Sequence, residues 1–305
     1  MKFIEASADI PSELIHAVND GDVVFLCGAG VSRGVGLPSF QKLTDDVYAS
    51  LGESRDNEAA ERIAYQRTEY DRVLRSLERR TLLPGRDSRV RAAVEDLLVP
   101  PRDADLSRHL SLLRLSRDRS GRTRLLTTNF DTLFERAAQG AVVPFASHAV
   151  KSVPRPGSPR DYGVLHLHGR LADKSLNLEG SDLILTSADF GDAYLRDGWA
   201  SQYVEDRMRL NTLVLVGYGA EDAALRLLLE TLDADRERFR DLKDIYAMEV
   251  RSDDSASLWN AKGIKPLEFP DHTTIYDALA EWAKYVQDPA NYGRQRVEAI
   301  LRRTA

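Results

Sequence analysis

The chain has 305 residues, 43% hydrophobic and 30% charged, a balance that excludes extensive disorder and supports a sizeable core without covalent staples. Its 42 Lys and Arg against 48 Asp and Glu leave a net charge of −6, which argues against a nucleic-acid groove; the run Arg114, Arg117, Arg119, Arg122, Arg124 reads as a solvated helix end and turn. One cysteine excludes an intrachain disulfide and a multi-cysteine metal site, and the lack of a signal-like start or a membrane-length apolar run makes a cytoplasmic protein that binds no membrane the expectation.

Residues 12–19 read as a short helix capped by Asp9 or Ser12, leading through Gly21 and Asp22 into an apolar strand over 23–27 that holds Cys27. The turn Gly28-Ala29-Gly30-Val31-Ser32 follows, then a helix over about 42–51. From 57 to 98 apolar residues recur at helical spacing, as in Val73, Leu74, Leu77 and Val90, Val94, Leu97, broken at Pro84-Gly85. That stretch is too long for a simple crossover, so an all-helical insertion over about 52–105 is expected beside the sheet. A helix over 106–115 leads to a strand over 124–126, the polar segment Thr127-Thr128-Asn129-Phe130-Asp131, and a helix over 131–138.

Residues 152–163, rich in Pro, Arg and Ser, read as a mobile loop. A strand at 164–165 enters His166-Leu167-His168-Gly169, residues 182–186 read as another short strand, and 187–210 as helical pieces. The apolar run 212–216 enters Gly217-Tyr218-Gly219, with Asp222 opening a helix over 223–232. Strands over 245–250 and 264–269, a helix near Ala256 and another over 275–286 follow. This alternation predicts an α/β protein: a Rossmann-like doubly wound parallel sheet with an inserted all-helical subdomain. One domain would span 1–290. Residues 291–305 form a basic amphipathic helix, with Val297, Ile300 and Leu301 on one side, that either docks on the domain or serves as a link or assembly surface.

Ligands of doubly wound sheets bind outside the carboxyl ends of the strands, so the strand-end segments would meet in one crevice. Glycines let a backbone approach a pyrophosphate, and amides at a helix start favour its charge. The glycine pattern alone leaves nucleotide binding and a plain tight turn both open, since no acidic residue closing a later strand is visible. Asn129 could cap the following helix, yet capping needs only one of the polar side chains gathered at 127–131. While a strand continues, His166 and His168 share a face; His168, past the last apolar residue, is the one expected to reach a cleft, and His166 is read as structural. Gly217, Tyr218 and Asp222 either hold the far end of an extended ligand or form an ordinary capped loop.

In this order and at these separations the segments resemble the sirtuin family of NAD-consuming enzymes. Gly28-Ala29-Gly30-Val31-Ser32 with Gly36-Leu37-Pro38-Ser39-Phe40 resembles the nucleotide loop, Thr128-Asn129-Phe130-Asp131 the Asn/Asp motif and His168-Gly169 the catalytic histidine motif, over roughly 23–269. Two departures narrow the likeness. One cysteine cannot build the four-cysteine zinc module of the deacylases, and Ser39-Phe40-Gln41 keeps only the aromatic of their acidic, aromatic and arginine loop continuation. With the helical insertion, these resemble the sirtuin-like NAD hydrolases of bacterial antiphage defence, which cleave NAD to nicotinamide and ADP-ribose.

The resemblance implies three catalytic residues: Asn129 orienting water or ribose hydroxyls, Asp131 at the carboxamide end and His168 as base. Candidate NAD-binding residues are Gly28, Ala29, Gly30, Ser32, Pro38, Phe40, Thr128, Gly217, Tyr218 and Asp222, with Ser32 and the Gly28 to Gly30 amides on the phosphates. It further implies NAD as substrate, no metal, a homo-oligomer and room for a separate partner protein of a defence system. A zinc-less NAD-dependent deacylase and a non-catalytic sensor of NAD or ADP-ribose are the alternatives.

Overall fold

A computed structural model describes residues 1–55, 58–219 and 242–304. Seven strands form one parallel sheet: β1 (Val23–Cys27), β2 (Arg124–Thr127), β3 (Ser147–Ala149), β4 (Gly163–His166), β5 (Thr212–Val216), β6 (Ile245–Val250) and β7 (Lys265–Phe269), in the order β3-β4-β2-β1-β5-β6-β7. All five residues of β1 are buried because both faces of the sheet are covered. Val23, Phe25 and Cys27 join one core, with α1 (Ser12–Asn19), α7 (Ser107–Leu115), α8 (Leu133–Gly140) and the helix His272–Gln287; Val24 and Leu26 join the other, with α10 (Trp199–Leu210) and Trp259. From β1 the chain first builds β2 to β4 on one side, then crosses to β5 on the other. The strand order therefore reverses at β1, and the carboxyl ends of β1 and β5 flank the switch point where a parallel sheet leaves a crevice.

Between β1 and α7 lie α2 (Ala29–Arg33), α3 (Phe40–Leu51), α4 (Ala59–Gln66), α5 (Tyr70–Thr81) and α6 (Arg89–Leu97). The last four build a core of their own from Val47, Leu74, Leu77 and Val94, to which Leu183 and Leu185 contribute. Helix α3 opens at Phe40, earlier than expected, because the Ser39 hydroxyl caps the Lys42 amide.

Several local expectations are corrected. Helix α1 has Pro11 at its N-cap and no side-chain cap; Asp9 meets the Met1 amino group instead. Residues 182–186 are not a strand: the Ile184 amide bonds the His168 carbonyl at 2.8 Å, but the Leu185 and Thr186 amides turn to Asp189, which opens α9 (Ser187–Phe190). The edge strand β3 was not foreseen, because Ser147 and His148 are half-buried and carry no apolar alternation. Helix α8 opens at Leu133 rather than 131, since the Asp131 carboxylate accepts the Leu133 amide. The 152–163 loop is anchored at one end, where buried Asp161 meets the fully buried Arg207 guanidinium at 2.5 and 2.8 Å. The helix expected over 223–232, and Asp222, lie outside the described residues. In the helix Pro289–Thr304, Tyr292 packs against Phe3 and Tyr285 while Val297 and Leu301 stay exposed. No described helix is long and apolar enough to cross a membrane.

Candidate active site

The loops after β1 and β5 interlock at the switch point. The Gly28 amide donates to the Val216 carbonyl and the Gly30 amide to the Gly217 carbonyl, each at 2.9 Å. A Cβ on Gly28 would sit 2.5 Å from the Tyr218 ring, and Gly217 has φ +78°, a conformation that L side chains resist. The glycines are thus required by contact between two protein loops. The Gly28 and Gly30 amides, expected on the phosphates, are both already engaged, and among residues 28–30 only the Ala29 amide has no described partner. Tyr276 secures the loop from outside by donating to the Gly30 carbonyl at 3.0 Å.

Ser32, buried in α2, is the hub beneath this loop. Its hydroxyl donates to Asp131 Oδ2 at 2.9 Å and accepts from Asn129 Nδ2 at 3.1 Å, while His109 Nε2 lies 3.4 Å away. A hydroxyl has one proton and two lone pairs, so the third contact asks His109 to carry its proton on Nε2. His109 Nδ1 is then an acceptor, buried with no partner among the described residues, and burial together with Arg108 pushes the ring's pKa down to about 4. Ser32, expected on the phosphates, already has these three contacts and ties Asn129 to Asp131.

Asn129 Nδ2 also donates to the Gly28 carbonyl at 3.2 Å, leaving Oδ1 without a described partner. Asp131 accepts the Leu133 amide at 3.1 Å on its other oxygen. Burial pushes its pKa up, against the hydrogen bonds from Leu133 and Ser32.

The two histidines separate because β4 stops at His166, where the two-residue alternation lapses. His166 Nδ1 lies 2.9 Å from the Asn129 carbonyl and Nε2 lies 2.8 Å from Glu135 Oε1. Both neighbours are acceptors, and with its partners His166 and Ser147 holding it down against burial, the Glu135 carboxyl lies below its ordinary pKa. His166 thereby anchors the Asn129 backbone. His168 faces the opposite core: Nε2 is 2.6 Å from Tyr194 Oη, and the Phe190 and Tyr194 rings stand edge-on to it at 5.1 and 5.8 Å. Burial pushes the His168 pKa down to about 3 and leaves the ring neutral. Tyr194 sits on the π-helical turn Gly191–Arg196, four residues beyond Phe190, on which it stacks.

Ala29, Ser32, Pro38, Phe40, Thr128, Asn129, Asp131, His168 and Tyr218 line one cleft, whose enclosed space is about 80 Å³. Thr128 Oγ1 and Tyr218 Oη, 2.8 Å apart, tie the β2 and β5 loops together at the cleft. Sequence reasoning missed the apolar lining residues Leu43, Leu98, Ile184 and Phe190, and also His109 and Tyr194. Phe190 and Tyr194 carried a readable signal, an aromatic pair at i and i+4. His109 carried none, being a lone histidine on an apolar helix. Among the described residues no group of three or more His, Cys, Asp or Glu is placed to hold a metal ion. Cys27 is buried, which raises its thiol pKa and leaves it inert.

Residues 123–267 match the SIR2-like domain family. Over 313 residues the chain is 42% identical to a protein of Sinorhizobium fredii (strain NBRC 101917 / NGR234) described as uncharacterized protein y4cA. That similarity takes in 99% of this chain and 26% of the relative, so the chain spans about a quarter of the relative's length. A solved structure described as "Structural Basis for the Mechanism and Regulation of Sir2 Enzymes" aligns with a TM-score of 0.44 at 13% identity, over 91% of this chain and 98% of that one. The match to the SIR2-like domain family takes in the stretch that contributes Asn129, Asp131, His168 and Tyr218 to the cleft.

Proposed function

We propose that the chain is an NAD glycohydrolase, which breaks the nicotinamide–ribose bond with water to give nicotinamide and ADP-ribose. One observation carries the reading: Asn129, Asp131 and His168 line a single cleft at the switch point, with Asn129 and Asp131 locked together through Ser32. The SIR2-like match over 123–267 supports NAD as the substrate.

The enclosed space of about 80 Å³ is far smaller than a dinucleotide site, which runs to several hundred Å³. The nicotinamide end would enter it, and the remainder would lie along the strand ends past the Ala29 amide toward Tyr218. Cleavage of the C–N bond leaves the bonding pair on neutral nicotinamide and positive charge on the ribose; water adds at the same carbon and gives up a proton. Asn129 Oδ1 orients the water or a ribose hydroxyl, its amide nitrogen being tied to Gly28 and Ser32. Neutral His168, poorly basic where it is buried, orients that water or hydroxyl by hydrogen bonding while the released proton leaves to solvent, and Asp131 meets the carboxamide. Phe40, Phe130, Phe190 and Ile184 keep bulk solvent from the reacting bond.

A zinc-less deacylase would need a channel for an acyl-lysine beside His168, where the Phe190 and Tyr194 rings already stand. A pure sensor would need neither Asn129 nor His168. As a defence effector the hydrolase would act by depleting cytoplasmic NAD, as a homo-oligomer held inactive until a partner or assembly releases it.

Incubating wild type, Asn129→Ala and His168→Ala with NAD and following nicotinamide release tests the assignment. Each variant is expected to lose on the order of 100-fold or more in rate. Variants that cleave NAD as fast as wild type would overturn it.

A further inference from the structure

A second cavity, of about 610 Å³, lies on the other side of Asp131 and Leu98, the two residues that line both spaces. Its walls come from the end of α6 and the following residues 98–102, from α8, and from the hairpin-like segment 170–181 closed by the Asp173–Leu178 bridge. In a chain of net charge −6, this cavity gathers four cations, Arg102, Arg136, Arg170 and Lys174, against Glu95, Asp173 and the shared Asp131.

The cations are poorly neutralised. Arg170 is only 8% exposed, yet it makes no ion pair with a described residue: Nη1 donates to Ser147 Oγ at 2.5 Å, Nη2 to the Glu179 carbonyl at 2.8 Å, and Nε is buried without a partner. Burial pushes its pKa down, with Glu135 opposing, as expected of a guanidinium lacking a direct counter-ion. Arg136 engages Asp173 only through Nε, at 2.7 Å, leaving its two terminal nitrogens as an open fork of the kind that grips an oxyanion. Arg102 and Lys174 are exposed and form no ion pair with any described residue.

The acids cancel only part of this charge. Asp173 is saturated by Thr132, Arg136 and Ser175, and although burial opposes them, these donors hold its pKa down to about 2. Asp131 is turned toward Ser32 and Leu133, and burial raises its pKa. Glu95 alone stands on the exposed rim. Positive charge in a concave wall of low dielectric focuses its field on the cavity. The space exceeds a bare phosphate, and Leu98, Val99, Pro100 and Leu171 offer an apolar wall to a second moiety.

We propose that this cavity is a binding site for a phosphorylated small molecule of about mononucleotide size, distinct from the cleft that holds Asn129 and His168. The Arg136 fork and the Arg170 charge face the phosphate, Arg102 and Lys174 draw it in from the rim, and the apolar wall takes the ring or sugar. The site does not depend on the NAD reading, because none of these four cations lines the other cleft.

Calorimetric titration of the whole chain with pyrophosphate and with ribose 5-phosphate, at low ionic strength, tests the proposal. Saturable binding with a Kd of about 1 mM or tighter is expected for wild type. The double variant Arg102→Ala, Lys174→Ala changes only exposed side chains that pair with no described residue and should keep the wild-type melting temperature while losing at least about tenfold in affinity. Arg136→Gln, which keeps a donor to Asp173 but removes the fork's charge, should lose as much. Absence of saturable binding to wild type, or equal affinity in the variants, overturns the site; equal affinity would place the anion in the other cleft.

Discussion

Tyr194 Oη and His168 Nε2 meet at 2.6 Å in a pocket where both side chains are almost wholly buried. Whichever atom donates, His168 is held in one ring orientation, with Phe190 stacked on the tyrosine behind it. Replacing Tyr194 by Phe keeps that stack and removes one hydroxyl. The unpartnered Nε2 should cost about 1 to 3 kcal/mol of unfolding free energy, read by urea titration, and nicotinamide release should fall as the ring loses its fixed orientation. Wild-type stability and wild-type turnover together would show that the contact holds nothing.

Ser32 distinguishes two roles through kinetics. A phosphate contact would raise KM when lost, whereas a residue that fixes Asn129 against Asp131 supports only the reacting geometry. Ser32→Ala is expected to lower kcat by about tenfold or more and leave KM for NAD near its wild-type value. A raised KM at unchanged kcat would return Ser32 to the phosphates.

The interlock of the β1 and β5 loops predicts a specific coupling. A methyl added at Gly28 would press on the Tyr218 ring, so Gly28→Ala should destabilise the chain by about 1 to 3 kcal/mol. In a Tyr218→Ala background most of that cost should vanish, as a double-mutant cycle on thermal or urea unfolding would show. Additive losses would mean that Gly28 is required for another reason.

Arg207 and Asp161 carry opposite charges out of water and are each other's main support, with Tyr203 at 2.7 Å and Asn211 at 3.2 Å completing the guanidinium's partners. Arg207→Met leaves buried Asp161 with the Gly157 amide at 2.9 Å and Arg124 at 3.9 Å but without its two closest donors and should cost about 3 kcal/mol, whereas Arg207→Met with Asp161→Asn should cost clearly less than the sum of the single changes. Chemical denaturation of the three variants checks this.

Acid should weaken the fold through its buried histidines. An ordinary imidazole titrates at 6.5, but burial pushes His109 down to about 4 and His168 down to about 3. Below pH 6.5 the unfolded chain binds protons that the folded chain refuses, so the stability these rings contribute is fully present above pH 6.5 and is lost as the pH falls to about 4 for His109 and about 3 for His168. The loss from His109 alone is on the order of 3 kcal/mol. Unfolding free energies at pH 7 and pH 4.5 should differ by less in His109→Gln than in wild type; equal differences would show that His109 does not resist protonation.

The local pattern of the sequence determined most of the architecture. Runs such as 23–27 and 212–216 are uninterruptedly apolar because both faces of a covered parallel sheet are buried, and that requirement is written residue by residue in the strand itself. The strand-end positions of Gly28, Asn129 and His168 follow from where those runs stop. Tertiary structure alone decided what each group touches. The Gly28 and Gly30 amides looked free for a phosphate until a loop nearly 190 residues away supplied Val216 and Gly217 as acceptors. Ser32 looked like a ligand contact until Asn129, Asp131 and His109 filled its lone pairs and took its proton. Strand β3 and the Tyr194 contact were equally out of reach, because their partners lie on other elements. Periodicity reports which face of a segment is buried; hydrogen-bond partners across the sheet depend on distances of a few ångströms between residues far apart in the chain, which no local pattern encodes.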